Sequence, residues 1–207
     1  MESKKKSDET RSLTYTIQNI VVKANLFITD DLKQEKLTLN IEEISKKWDN
    51  TEFKNRFPGL FIRFTDPKCV IILFSSGNLI LTGLKLFNHI ELVLLKLITE
   101  INISLNSHFK MSEVEPEVVN IVVSASYDDK IDLNLTALLI ENVIYEPEIF
   151  PALIYKSIKP VKCVFLVFNN GKVILTGIKD KDDIEPTLIK FGKLLKKKAL
   201  FVNQLNI

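Results

Sequence analysis

Hydrophobic and polar positions alternate along much of this chain, and the alternation is interrupted at similar places in its two halves. An apolar strand is predicted from Ile17, and another from Val118. A loop and a short helix follow each. Asn40 stands as N-cap before Ile41-Glu-Glu-Ile44 in the first half, and the second short helix falls within Leu133–Ile140. Strands around Phe61–Phe64 and Ile154–Ile158 run up to Pro67 and Pro160. A hairpin then turns at Ser75-Ser-Gly-Asn78 or Asn169-Asn-Gly-Lys172, where glycine supplies the positive φ of a tight turn. A longer helix ends each half, over Asn88–Asn102 and Ile184–Lys198. Many antiparallel strands with few helices predict an α+β fold.

The parallel between the halves extends to identity. Arg56-Phe-Pro-Gly-Leu-Phe-Ile-Arg63 matches Ile149-Phe-Pro-Ala-Leu-Ile-Tyr-Lys156, and Cys69-Val-Ile-Ile-Leu-Phe-Ser-Ser-Gly77 matches Cys163-Val-Phe-Leu-Val-Phe-Asn-Asn-Gly171. Leu81-Thr-Gly83 recurs as Leu175-Thr-Gly177, and Asn19-Ile-Val21 as Asn120-Ile-Val122. From the cysteines to the Thr-Gly pairs the offset is constant at 94 residues. Two copies at so long a period indicate a duplicated half-domain with approximate twofold symmetry, not a solenoid. The division is residues 16–111 and 112–207, after a polar, lysine-rich segment 1–15 expected to be disordered.

Strand parity sets up the functional question. Val70, Ile72, Phe74, Ile80 and Thr82 share one face of the sheet, with Cys69, Ile71, Leu73, Leu79 and Leu81 behind. Val164, Leu166, Phe168, Ile174 and Thr176 repeat this against Cys163, Phe165, Val167, Val173 and Leu175. Both faces are apolar, although an antiparallel sheet with helices on one side normally shows polar residues on the other. Either a second layer or a dimer covers the extra face, or that face is a binding surface awaiting its ligand.

Composition narrows the choice only slightly. A net charge of +2 over 207 residues is too small to indicate a nucleic-acid partner by itself. Cys69 and Cys163 are too few for a disulfide framework and are read as reduced core thiols of an intracellular protein. No secretory leader or membrane span is visible. His89 and His108 lack partners at ligand spacing, and no phosphate loop or nucleophile elbow occurs, so an enzyme with a catalytic or metal site is not expected. Asp128, Asp129 and Asp132 look like a polar turn ahead of a helix.

Motif identity takes the reading further. Gln18-Asn-Ile-Val21, Arg56-Phe-Pro-Gly-Leu60, Leu73-Phe-Ser-Ser-Gly77, Tyr145-Glu-Pro-Glu148, Phe150-Pro-Ala-Leu-Ile-Tyr155 and the two Leu-Thr-Gly segments resemble the TATA-binding protein core domain. The resemblance runs from about Ile17 to about Phe201. It implies a saddle in which two pseudo-twofold repeats form one curved antiparallel sheet with helices on the convex side. It further implies a general transcription initiation factor that binds and bends A·T-rich promoter DNA through the minor groove. Phe57, Phe74, Phe150 and Phe168 would be the wedges that unstack base steps. Asn19, Asn120, Thr82 and Thr176 would meet base acceptors near the pseudo-dyad. Val21, Val122, Ile72, Leu166, Ile80 and Ile174 would pack on the groove floor. Arg63, Lys156, Lys172 and Ser76 would hold phosphates. Tyr145, Glu146, Glu148 and Ile149 would contact a protein resembling transcription factor IIB. No cofactor is implied. The resemblance implies the nucleus, or the cytoplasm for an archaeal member and a viral factory for a viral one.

Several positions depart from the family pattern. Val119 replaces Gln, and Lys23 a small polar residue; Lys23 would either reach a phosphate or disturb the groove floor. Asn78 and Asn170 replace Lys and Ser, and the loop Phe27–Thr38 is long. Lys96 is the sole lysine of helix 88–102, a helix that is strongly basic in eukaryotic members, so binding of transcription factor IIA or negative regulators is not implied. Lys190, Lys193, Lys196, Lys197 and Lys198 keep the other long helix basic. The competing function is a divergent paralogue that acts as a protein-interaction scaffold with weak or no specific DNA binding.

Overall fold

The computed structural model describes residues 14–26 and 38–202. The tail 1–13 and most of the long loop 27–38 lie outside the described residues. The first half comprises β1 (Thr14–Asn25), α1 (Ile41–Lys47), β2 (Thr51–Phe53), β3 (Gly59–Thr65), β4 (Lys68–Phe74), β5 (Asn78–Leu84) and α2 (Asn88–Leu105). The second comprises β6 (Glu117–Ser126), β7 (Lys130–Ile131), α3 (Leu133–Leu139), β8 (Val143–Ile144), β9 (Leu153–Ser157), β10 (Cys163–Val167), β11 (Lys172–Ile178), α4 (Ile184–Lys197) and β12 (Phe201–Val202). Ten strands form one curved antiparallel sheet in the order β2-β3-β4-β5-β1-β6-β11-β10-β9-β8, a saddle-like α+β fold. The short strands β7 and β12 pair separately.

The short helices start where a polar side chain can accept the first free amides. Asn40 Oδ1 accepts from Glu43 N at 3.0 Å, and Asp132 Oδ1 from Leu135 N at 2.9 Å. Asp132 is therefore a helix cap. The predicted strands and helices are all present, with ends moved by a few residues. The pattern did not indicate β2, β7, β8 and β12, which are only two or three residues long. Such strands are too short for alternation to register.

Helices cover one face only. Cys69, Ile71, Leu73, Leu79 and Leu81 are at most 3% exposed beneath α2, and Phe165, Val167, Val173 and Leu175 are at most 1% exposed beneath α4. Each half has its own core. Tyr155, Phe165 and Phe191 stack in the second, with Phe165 and Phe191 centroids 4.3 Å apart. Their counterparts in the first core are aliphatic: Ile62, Ile71 and Leu97. Both thiols are buried, and burial pushes Cys69 up to about 11.

Among the described residues one core polar group is left unsatisfied. Thr187, on the buried side of α4, is 1% exposed, and its Oγ1 has no hydrogen-bond partner. The corresponding residue of α2 is Val93, which is fully buried. A buried hydroxyl without a partner costs about 1–3 kcal/mol. Thr187→Val keeps the shape and removes that cost, so it should stabilise the fold by about 1 kcal/mol. The check is the urea midpoint at unchanged m-value.

Candidate nucleic-acid interface

The second sheet face is open. Val21, Ile72, Phe74, Thr82, Val122, Leu166, Phe168, Ile174 and Thr176 are all half-buried, and Ile80 is exposed. The strand alternation that buries their neighbours under the helices turns these side chains away from them. Among the described residues no second layer of this chain covers this face, which leaves it as an open apolar surface.

At its centre β1 pairs with β6, so that Asn19 lies opposite Val122 and Val21 opposite Asn120. This exchange of equivalent partners is the approximate twofold axis. Asn19 Oδ1 accepts from Gly83 N at 2.7 Å, and Asn120 Oδ1 from Gly177 N at 2.8 Å. Because a backbone N–H can only donate, these contacts fix both amides with oxygen inward and nitrogen as donor, and Asn19 Nδ2 donates to Thr82 Oγ1 at 3.1 Å. The hydroxyls of Thr82 and Thr176 lie 3.2 Å from the same oxygens. Local backbone geometry makes this possible. Gly83 and Gly177 have φ of +99° and +92° at register shifts in the sheet, which turn their N–H groups toward the asparagines.

The four phenylalanines form two pairs on opposite flanks. Phe74 ends β4 and Phe57 precedes β3; Phe168 follows β10 and Phe150 precedes β9. Phe57 is 39% exposed and Phe150 40%, a near-equal presentation from the two repeats. Gly77 N and Gly171 N donate to the carbonyls of Phe74 and Phe168, so each hairpin turn anchors one member of its pair.

Charged residues are arranged less symmetrically. The Arg63 guanidinium donates to the Glu52 carboxylate at 3.0 Å, and both side chains are about half exposed. A phosphate at Arg63 must therefore compete with Glu52. Lys156, its counterpart, is exposed, as are Lys172 and Ser76; Ser76 Oγ accepts from Asn78 Nδ2 at 3.0 Å. Lys23 contacts Glu117 at 2.7 Å across the central strand pair, and this bond holds the Glu117 carboxyl below its ordinary range. The paired Lys23 is thus already engaged with a carboxylate.

Tyr145 packs on the second core, whereas Glu146, Glu148 and Ile149 are exposed, Ile149 to 80%. The amides of Ile149 and Phe150 both donate to the Glu146 carbonyl at 2.9 Å, making a tight turn that ends at Phe150. Sequence reasoning missed Phe61, which is half-buried on the open face beside Phe57. Its parity with Arg63 on β3 was the available signal. It also missed the acidic partners Glu52 and Glu117, whose contacts cross between strands.

The positive-φ glycines generate a prediction. A β-carbon on Gly177 would lie 3.3 Å from Cys163 Cα, in a backbone conformation that side chains disfavour. Gly177→Ala should destabilise the protein by more than about 1 kcal/mol. Thermal unfolding of the variant against the wild type is the check.

Comparison with known proteins agrees with this geometry. The family model described as transcription factor TFIID (or TATA-binding protein, TBP) matches residues 14–102 and 115–198. TATA-box-binding protein 2 of Methanosarcina acetivorans is 37% identical over 179 residues, covering 84% of this chain and 91% of its own length. The TATA-box-binding protein of Pyrococcus abyssi is 32% identical over 193 residues, covering 93% and 95%. The solved structure of Methanococcus jannaschii TBP superposes with a TM-score of 0.76 at 32% identity, over 88% of this chain and 98% of that one. These relatives are archaeal, so the expectation of a nuclear protein finds no support in them. The chain belongs to the TATA-binding protein family.

Proposed function

We propose that this protein is a general transcription initiation factor that binds A·T-rich promoter DNA in the minor groove and bends it by inserting Phe57, Phe74, Phe150 and Phe168. The observation that carries the reading is the uncovered apolar face with an exposed phenylalanine, Phe57 or Phe150, and a half-buried one, Phe74 or Phe168, at each flank. Six inter-strand spacings separate the β3–β4 flank from the β9–β10 flank. At about 4.8 Å each they span about 29 Å, or roughly eight base steps at 3.4 Å. That is a suitable length for one short element gripped at both ends. Unstacking costs a few kcal/mol per step, which contact between a widened groove and the apolar face offsets.

In this reading Asn19 and Asn120 donate to the minor-groove acceptors of A·T pairs, with Thr82 and Thr176 beside them. The guanine amino group would oppose such donors, and pyrimidine–purine steps deform most easily. Lys156, Lys172 and Ser76 are open to phosphates, as is Arg63 once released from Glu52. Residues 16–111 and 112–207 act as the two repeats, each supplying one half of the contact surface. The archaeal relatives favour action in the cytoplasm.

Glu146, Glu148 and Ile149 form an exposed acidic–apolar turn suited to a basic, apolar partner such as a factor resembling transcription factor IIB. On α2, Leu92 and Leu95 are 53% and 50% exposed and Lys96 sits 4.8 Å from the Phe64 ring centroid, which gives no acidic regulator an obvious dock.

A gel-shift titration should show tighter binding to a TATA duplex than to its G·C-substituted control; equal, salt-sensitive binding to both would refute the specific reading and favour the scaffold alternative. Replacing Phe150 and Phe168 together by Ala should abolish bending, measured by end-to-end fluorescence transfer, with the fold intact. Glu146→Arg combined with Glu148→Arg should leave DNA binding in place while removing the supershift given by a IIB-like factor.

A further inference from the structure

The two wedges are not built alike. In the first half, Phe57 has its ring centroid 5.2 Å from that of Phe61 and 5.9 Å from that of Phe74. Phe61 lies opposite Ile72 in the β3–β4 pairing, on the open face, and Lys54 Nζ sits 4.4 Å from its centroid on the outer side. Gly59 makes room for this cluster. A β-carbon there would come within 2.8 Å of both Phe57 Cε1 and Ile72 Cγ2, and within 3.1 Å of Phe74 Cε1. In the second half the corresponding residues are Ala152 and Ile154. The methyl group of Ala152 is buried, at 2% exposure, where the first half has the Phe57 and Ile72 side chains packed against a bare glycine, and Ile154 offers no ring.

We infer that Phe61 is a positioning residue for DNA insertion: it braces the Phe57 ring against Phe74, so that the first-half wedge is pre-organised while the second-half wedge is ordered only on binding. The inference rests on the proposed DNA reading. A side chain held in its bound orientation loses less conformational freedom on association, which appears as affinity without any new contact to the ligand. Tilted rings at centroid separations of 5–6 Å are favourable arrangements for aromatic pairs, so the brace holds the ring by attraction as well as by contact. Half-buried on the open face, Phe61 is not a member of the helix-covered core, so its replacement should leave the fold in place.

The test is a reciprocal exchange. Phe61→Ile gives the first half the side chain of the second; it should weaken binding to an A·T duplex by about 2- to 10-fold, the loss expected from freeing one side chain. Its thermal midpoint and the salt dependence of binding should not change, because no charge is altered. Phe61→Tyr keeps the ring and should bind as the wild type does. The combination Ala152→Gly and Ile154→Phe builds the cluster in the second half and should tighten binding by a similar factor, a gain that a merely structural role for Phe61 would not produce. Aromatic NMR of the free protein reads the brace without DNA: the Phe57 ring should flip faster in Phe61→Ile. Unchanged affinity in Phe61→Ile, no gain in the grafted variant, or an unchanged flip rate would each overturn the inference. Equal binding of the wild type to A·T and G·C duplexes would remove the DNA reading instead, leaving the flip rate to decide the brace.

Discussion

The antiparallel pairing of β1 with β6 joins two copies of a half-domain into one sheet, and the arrangement of the whole surface follows from it. Backbone hydrogen bonding across this pair leaves no free edge at the centre, so the two five-strand halves share a continuous face. The same pairing places equivalent residues of the two halves side by side about an approximate twofold axis and sends the hairpins outward in opposite directions. Polar side chains are therefore collected at the middle and phenylalanines at the ends. Since α2 and α4 pack on one face, the other stays open as an apolar surface longer than any single repeat could supply.

Around that frame the repeats have diverged in ways that are physical and local. The second core is stacked from Tyr155, Phe165 and Phe191, while the first has Ile62, Ile71 and Leu97 at the corresponding positions. On the open face the imbalance is reversed, with Phe57, Phe61 and Phe74 clustered in the first half only among the described ring contacts. Charge has diverged too. Arg63 is held by Glu52, whereas Lys156 has no counterpart to that ion pair among the described residues, and Lys23 faces Glu117 over the central strands. A protein with nearly symmetric backbone thus offers two chemically different ends to a partner.

A similar contrast separates the centre of the site from its rim. The asparagine amides are fixed by backbone donors from Gly83 and Gly177, so their orientation does not depend on solvent or ligand. At the rim Lys156, Lys172 and Ser76 are exposed, with Ser76 Oγ accepting from Asn78 Nδ2. Fixed donors inside and exposed charges outside match the division between contacts that discriminate among bases and contacts that hold the backbone.

Much of this was legible in the chain itself. Alternation separated the helix-facing residues from the open face correctly on β4, β5, β10 and β11, because side-chain direction in a strand is fixed by position alone. The internal repeat and the Phe-Pro, Leu-Thr-Gly and Asn-Ile-Val segments carried the family and the saddle. The brief strands β2, β7, β8 and β12 escaped notice, being too short to show a period. Tertiary structure alone decided the rest: that the second face stays uncovered, that Gly83 and Gly177 aim their amides at Asn19 and Asn120, that Arg63 and Lys23 meet Glu52 and Glu117, and that Phe61 joins Phe57. Each of these depends on which strands become neighbours and in what register, and pairing between distant segments is set by the packing of the whole sheet and not by any local run of residues.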